Sequence, residues 1–471
     1  MNTEISPSIQ RLLAAIAALC ITSSVAAQDG DSSERAVMQI KPQEGIPSVR
    51  AIAPIDENNV FFLNKRGQIG VAKFSPGLSL IGWEYYSEVK LDSLPFLAAG
   101  PELSVVTGSP DEITQAFDTD GDVELDFYQA LIRDWIGRDA GVTITAGPVA
   151  DPFGRLLFAL SPHLEKPETI SSEEEKDEGE AGDEKTDAPK PEPTPKARIV
   201  SWTPGAGQLV TLTESRLPVT SFSIGREGLL ACLLSMPGYT GGYYVSLTQL
   251  PAPPPESPAT PPQTVPFTLP SLLIPAELTK NNAPGQLVFC HLDGKEKLLA
   301  LCPEAKQIIE IVPENVNGTW QGSILLNRIT KTPVEAVVEI TPGSVLAGGD
   351  GGFVPLDEKT DAFKIKNVTI LAEGISLDFT GPVDRLSASK PESYSIRAIS
   401  LSGGNKPITV RPVITSDGKS VILRTDRISA GTVLQISCPG VVDENKDPLL
   451  SSAAYYTVHQ LSVPDVSKTG N

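Results

Sequence analysis

Four aspartates at alternate positions stand out first. Asp118, Asp120, Asp122 and Asp126, with Glu124 between them, fill a short turn after the alternating strand pattern of 112–117. Carboxylates brought to one side of a tight loop supply hard oxygen ligands, the set that Ca²⁺ prefers. A backbone carbonyl near Glu124 would add to the shell. The same residues also suit a solvated hairpin connection, because Asp and Gly are common turn formers. Val123 stands where a glycine would permit the positive-φ geometry of a tighter loop.

Other chemistries find less support. The chain has three histidines, His163, His291 and His459, far apart in sequence. General-base work needs a base within hydrogen-bond reach and a group that orients it; none of these histidines is embedded in a Gly-rich loop at a blade's inner edge. Scarce His and the lack of paired Cys disfavour zinc. No Gly-X-Ser-X-Gly elbow, phosphate loop or dinucleotide fingerprint is present. No catalytic residue is therefore assigned.

The elements that must hold the aspartates are strands. The 471 residues include 42 Pro and 39 Gly, and short apolar runs lie between these breakers. One grammar of strand, turn and strand recurs six times, beginning near residues 49, 96, 142, 219, 287 and 334. Allowing for insertions, the spacing is about the 40–50 residues of propeller blades. The pattern predicts an all-β chain, a six-bladed β-propeller over 46–360. A helix is expected near 127–135. After 360 the strands are spaced as in an Ig-like β-sandwich, placed at 366–462, with one strand running over 408–414.

Two insertions interrupt the repeat. Residues 164–197 are dominated by a run with twelve acidic and five basic residues, which predicts disorder. Residues 250–272 are Pro-rich and predict an extended loop off one blade. The chain starts with an export signal over 1–27: Arg11, an apolar core too short to span a bilayer, then small residues. Leu19 stands where a lipid anchor on Cys20 would want a small residue. Flexible segments are expected at 28–45 and 463–471. The expected product is exported, periplasmic or at the cell surface, without a transmembrane anchor. Its net charge of −20 repels phosphate backbones and argues against nucleic acid. Of the four remaining cysteines, Cys232 and Cys438 read as core residues. Cys290 and Cys302 flank a turn and leave a disulfide open, although a tight hairpin would set Cys290 opposite Leu299.

Three stretches together resemble the secreted bacterial propellers related to glucose/sorbosone dehydrogenases. The turn Phe117-Asp118-Thr119-Asp120-Gly121-Asp122 is similar to their acidic turn. Residues 284–289, 309–312 and 316–322 resemble a late blade. Residues 375–384 with Tyr394, and 440–449, are similar to the opening and closing segments of a bacterial Ig-like module. The resemblance implies a propeller, a quinone cofactor and a His base with cationic partners in the enzymes of the family. This chain departs from that pattern: it lacks a placed His base, and it has no Cys-X-X-Cys-His for haem. Neither quinone nor haem is expected, and Ca²⁺ is the one cofactor suggested. The reading is an exported, non-catalytic propeller that binds an extracellular protein or carbohydrate, or serves in surface assembly. The alternative is a divergent sugar dehydrogenase or a calcium-dependent lactonase.

Overall fold

The computed structural model describes residues 48–461, apart from 88–93, 101–102, 121, 123, 133–141, 152–154, 163–195, 203–208, 236–241, 251–264, 267–269, 293, 357–361 and 401–404. The segments expected to be an export signal and flexible ends, most of both insertions and His163 lie outside the described residues.

Six groups of antiparallel strands follow one another in sequence, and we number them as blades 1 to 6. Their first strands are Val49–Pro54, Leu97–Ala99, Val142–Ala150, Val219–Ile224, Leu287–Leu292 and Val334–Thr341. Each first strand touches the next, and that of blade 6 touches that of blade 1, so the ring closes. This is the arrangement of a propeller.

The burial pattern explains why the ring forms. Each blade alternates side chains to both faces, and each pair of neighbouring blades encloses its own apolar core. Phe62, Phe74 and Trp83 of blade 1 pack with Leu346 and Phe353 of blade 6. Phe61, Val71 and Tyr86 of blade 1 pack with Val105 and Ala116 of blade 2. The other four junctions repeat this arrangement. A lone four-stranded sheet would leave both faces wet, and stacking neighbours removes them from water.

Polar side chains satisfy backbone groups between neighbouring blades. The amide of Val219 donates to Ser161 Oγ at 3.2 Å, Leu287 N to Ser221 Oγ at 2.9 Å, and Phe289 N to Ser223 Oγ at 3.0 Å. Val337 N donates to Gln286 Oε1 at 3.0 Å. In each case the acceptor comes from the preceding blade, which pairs amides that a strand edge would leave open.

The last eight strands form a β-sandwich around a separate core that includes Ile375, Leu377, Leu434 and Tyr456. One sheet takes strands Ile365–Leu371, Gly374–Phe379, Ser420–Arg424 and Arg411–Ile414 in that order. The other takes Asn405–Ile408, Ser395–Ser400, Thr432–Ser437 and Ala453–Val458. The first sheet has the A-B-E-D order of immunoglobulin sandwiches, and the second contains their C-F-G order. The Ala453–Val458 strand also pairs with the outer strand of blade 5, Thr319–Ile329, joining Gly322 to Thr457 and Leu325 to Ala454. One eight-stranded sheet thus runs from the first strand of blade 5 across the sandwich. Gly322 sits at that junction with φ +149, and a Cβ there would lie 2.1 Å from the carbonyl oxygen of Val312.

Three local expectations are corrected. Phe127–Ile132 is the fourth strand of blade 2, not a helix. Its neighbour Ile113–Phe117 supplies the hydrogen bonds that a helix would have made internally. The span 408–414 is not one strand, because the chain leaves one sheet of the sandwich after Ile408 and enters the other at Arg411. Cys290 lies opposite Lys297 rather than Leu299, since the hairpin closes at Leu292 and Lys295. None of the four described cysteines forms a disulfide, and all are buried.

In blade 3, Leu156–Pro162 pairs with Ala197–Trp202 across the acidic run. Val265–Pro266, from the Pro-rich stretch, adds to that blade as a parallel outer strand.

Candidate metal centre and the channel mouth

The acidic loop caps blade 2. Its neck is closed where Asp126 N donates to Phe117 O at 3.0 Å, and the rings of Phe117 and Phe127 lie 6.1 Å apart. Within the loop, Asp122 N donates to Asp120 Oδ1 at 3.2 Å, and Glu124 N to Asp122 Oδ1 at 3.0 Å.

Asp118, Asp120 and Asp122 each bring one carboxylate oxygen to within 4.8 Å of the others. Oxygens sharing one Ca²⁺ at about 2.3–2.6 Å can be at most ~5.2 Å apart, so these three fit a single ion. The other two expected ligands are placed differently. Asp126 accepts hydrogen bonds from Thr119 N and Thr119 Oγ1, at 3.2 and 2.6 Å. Glu124 is exposed and does not join the three-oxygen cluster.

Blade 1 supports the loop from below. Leu125 is buried, and its amide donates to the carbonyl of Tyr86 at 2.7 Å. Tyr128 OH donates to Leu125 O at 3.1 Å and lies 2.9 Å from Ser87 Oγ. Tyr86 itself is fully buried and stacked on Phe61 with ring centroids 5.5 Å apart. Its hydroxyl has no hydrogen-bond partner among the described residues. Burial, and then the carboxylates of Asp118, Asp122 and Asp126, hold the phenol well above its ordinary pKa. It therefore remains a neutral hydroxyl at any working pH.

The second feature lies at one mouth of the central channel. In blades 1, 4 and 6 the first strand carries one extra residue near its start: Arg50, Thr220 and Glu335. Such bulges re-aim a side chain out of the pleat. Arg50 and Glu335 line a cavity of about 210 Å³ together with Phe96 and Gln286. Glu335 is held by Lys65 at 2.7 Å, and Lys65 also reaches Asp350 at 2.7 Å. Hydrogen bonds to Asp350 and then Glu335 raise the Lys65 pKa, while the bond from Lys65 lowers that of Asp350. The Arg50 side chain has no hydrogen bond or ion pair among the described residues.

The sequence pattern also missed a histidine pairing. His291, in the first strand of blade 5, places Nδ1 3.0 Å from Oε2 of Glu339 in the first strand of blade 6. Gly343 N fixes the other oxygen of Glu339 at 2.9 Å. The two residues are 48 positions apart, and only ring assembly brings them together. His459 is a structural residue of the sandwich edge: its amide donates to Gln321 Oε1 at 3.0 Å, and Nε2 lies 3.0 Å from Ser271 O.

No protein-family model matches this chain, and no curated protein matches it. Solved structures do. The PQQ-bound form of an aldose sugar dehydrogenase from Streptomyces coelicolor is 12% identical, covers 66% of this chain and 90% of its own, and gives a TM-score of 0.42. A gluconolactonase from Xanthomonas campestris is 11% identical over 65% of this chain and 85% of its own, at a TM-score of 0.37. A calcium structure of a carbohydrate-active enzyme of family AA12 from Trichoderma reesei is 9% identical over 67% and 94%, at 0.42. The assignment as a propeller rests on the closed ring of sheets and its junction cores.

Proposed function

We propose that this chain is an exported propeller, spanning 46–360, with an Ig-like module at 366–462. It binds a small oxygen-rich ligand of the sugar or sugar-acid class at the Arg50–Glu335 mouth. Ca²⁺ serves a structural role in the acidic loop, on Asp118, Asp120 and Asp122. The observation that carries the reading is the bulged, unpaired Arg50 guanidinium beside Gln286 and Phe96 in one cavity. A guanidinium recognises a carboxylate, an amide recognises hydroxyls, and an aromatic wall suits the C–H face of a sugar ring. No helix among the described residues is long and apolar enough to cross a membrane.

Calorimetric titration of the full chain with a panel of aldonic acids, lactones and neutral sugars tests this. Arg50→Ala should weaken binding of an acid at least tenfold and binding of a neutral sugar much less. A panel without any ligand, or equal binding by Arg50→Ala, would reject the mouth as the site.

A pyrroloquinoline-type quinone does not fit the described mouth. It carries three carboxylates, and the described lining offers one unpaired cation, Arg50, with the carboxylate of Glu335 beside it. No step through a quinone is drawn.

The His291–Glu339 pair favours a second reading, hydrolysis of a sugar lactone by water. With its proton on Nδ1 facing Glu339, His291 would keep a lone pair on Nε2 for a general-base step. Lactone turnover lost in His291→Gln, and in Glu339→Gln by a smaller factor, would establish it. Absence of turnover on lactones, with and without Ca²⁺, leaves the binding reading alone.

A further inference from the structure

A buried hydroxyl without a partner is rare, because it forfeits its hydrogen bonds with water and gains none in return. Among the described residues, Tyr86 OH is such a group. It belongs to blade 1, yet the charges that act on it are the carboxylates of Asp118, Asp122 and Asp126 on blade 2. The ring cannot easily turn away, since it stacks on Phe61 and the loop hangs from its own carbonyl through Leu125 N.

We infer that the Tyr86 hydroxyl is a fourth oxygen ligand of the cation site formed by Asp118, Asp120 and Asp122, so that one divalent hard cation ties blade 1 to blade 2. The inference rests on the reading of the acidic loop as a Ca²⁺ site. A neutral hydroxyl offers two lone pairs and one proton. One lone pair can face the ion while the proton goes to a neighbouring carboxylate. The same contact gives the orphaned oxygen a partner and gives the three carboxylates a counter-charge. Ca²⁺ accepts six to eight oxygens, so a ligand from below, on the protein side, leaves the solvent side for water.

Calorimetric titration with Ca²⁺ alone, on the full chain and on Tyr86→Phe and Asp120→Ala, provides the test. Phenylalanine keeps the stack on Phe61 and removes only the oxygen. Tyr86→Phe should weaken Ca²⁺ binding roughly tenfold, the scale of losing one supporting metal contact, with a melting temperature in chelator no lower than wild type. Asp120→Ala should weaken binding further. Equal affinity in Tyr86→Phe and wild type would overturn the role of Tyr86 while leaving the loop site standing. No Ca²⁺ binding by the wild type would overturn the loop site and this inference with it. Tyrosine-sensitised Tb³⁺ emission gives a second measurement that does not depend on the Tyr86 variant folding. The emission should survive Tyr128→Phe, and its loss there would assign the contact to Tyr128 and overturn the inference.

Discussion

The hydroxyl of Tyr455, in the last strand of the sandwich, donates to Oε2 of Glu277 at 2.7 Å, in the short helix Ala276–Thr279 that follows blade 4. Gln435 reaches the same oxygen at 3.3 Å. Nearby, Leu273 N of blade 4 donates to Thr457 Oγ1 at 3.1 Å, and Gln321 Oε1 takes the amides of His459 and Gln460. Tyr455 also enters the core between blades 4 and 5. The sandwich is therefore part of the propeller's packing.

Removing residues 364–471 should expose the Thr319–Ile329 edge along with Ile324 and Leu325. An open apolar edge pairs with other chains. The truncated protein is expected to self-associate in size-exclusion chromatography and to melt lower than the full chain. A monomer with unchanged melting would mean that the joined sheet adds nothing to the propeller.

Ser221→Ala removes the acceptor of the Leu287 amide inside the ring. The amide is then buried without a partner, at a cost of about 1–3 kcal/mol. Urea unfolding should show a lower midpoint with an unchanged slope. Ser221→Thr, which keeps the hydroxyl, should lose less.

Thiol chemistry reports on the same packing. Burial pushes the thiols of Cys302 and Cys438 up to about 12 and raises that of Cys232 as well. Alkylation at pH 8 should leave these three unmodified in the native protein and label them on unfolding, as read by peptide mass spectrometry. Labelling of Cys232 in the native state would show that the junction of blades 3 and 4 opens.

The Lys65–Asp350 pair sets a small acid limb. The folded pKa of Asp350 is lowered, so its contribution is present above the unfolded value near 3.9 and fades as pH falls through the folded one. Both partners are largely solvated, which limits the effect to under about 1 kcal/mol. Asp350→Asn should lower stability slightly at pH 7 and flatten its decline below pH 4, with the difference shrinking in 1 M salt.

Much of the architecture was legible because blades repeat a local grammar. Val-Phe-Phe-Leu at 60–63, Leu-Leu-Ala-Cys-Leu-Leu at 229–234 and Val-Leu-Ala at 345–347 are all second strands buried on both faces. The acidic cluster was legible for a similar reason, since its carboxylates are neighbours in sequence. Tyr86 was not, because its link to Asp118 and Asp122 exists only once blade 1 lies against blade 2. His291 and Glu339 escaped on the same ground. The bulges at Arg50, Thr220 and Glu335 did leave a trace in Val-Arg-Ala, Val-Thr-Ser and Val-Glu-Ala, three aligned triplets whose middle residue varies while its flanks stay small or apolar. Phe127–Ile132 misled because its apolar spacing suits either element, and the partner strand decides. In 408–414, Ile408, Val410, Val413 and Ile414 read as one strand, yet the chain changes sheet between Ile408 and Arg411.

The shared sheet has a geometric consequence. Because Ala453–Val458 is hydrogen-bonded to blade 5 in fixed register, the sandwich has no swivel of its own. Its far edge, at Asn405–Ile408, keeps a constant bearing relative to the channel mouth. A surface tethered through that edge would present the mouth in one orientation, as a bracket holds a lamp, and lengthening the 357–361 connection would not loosen it.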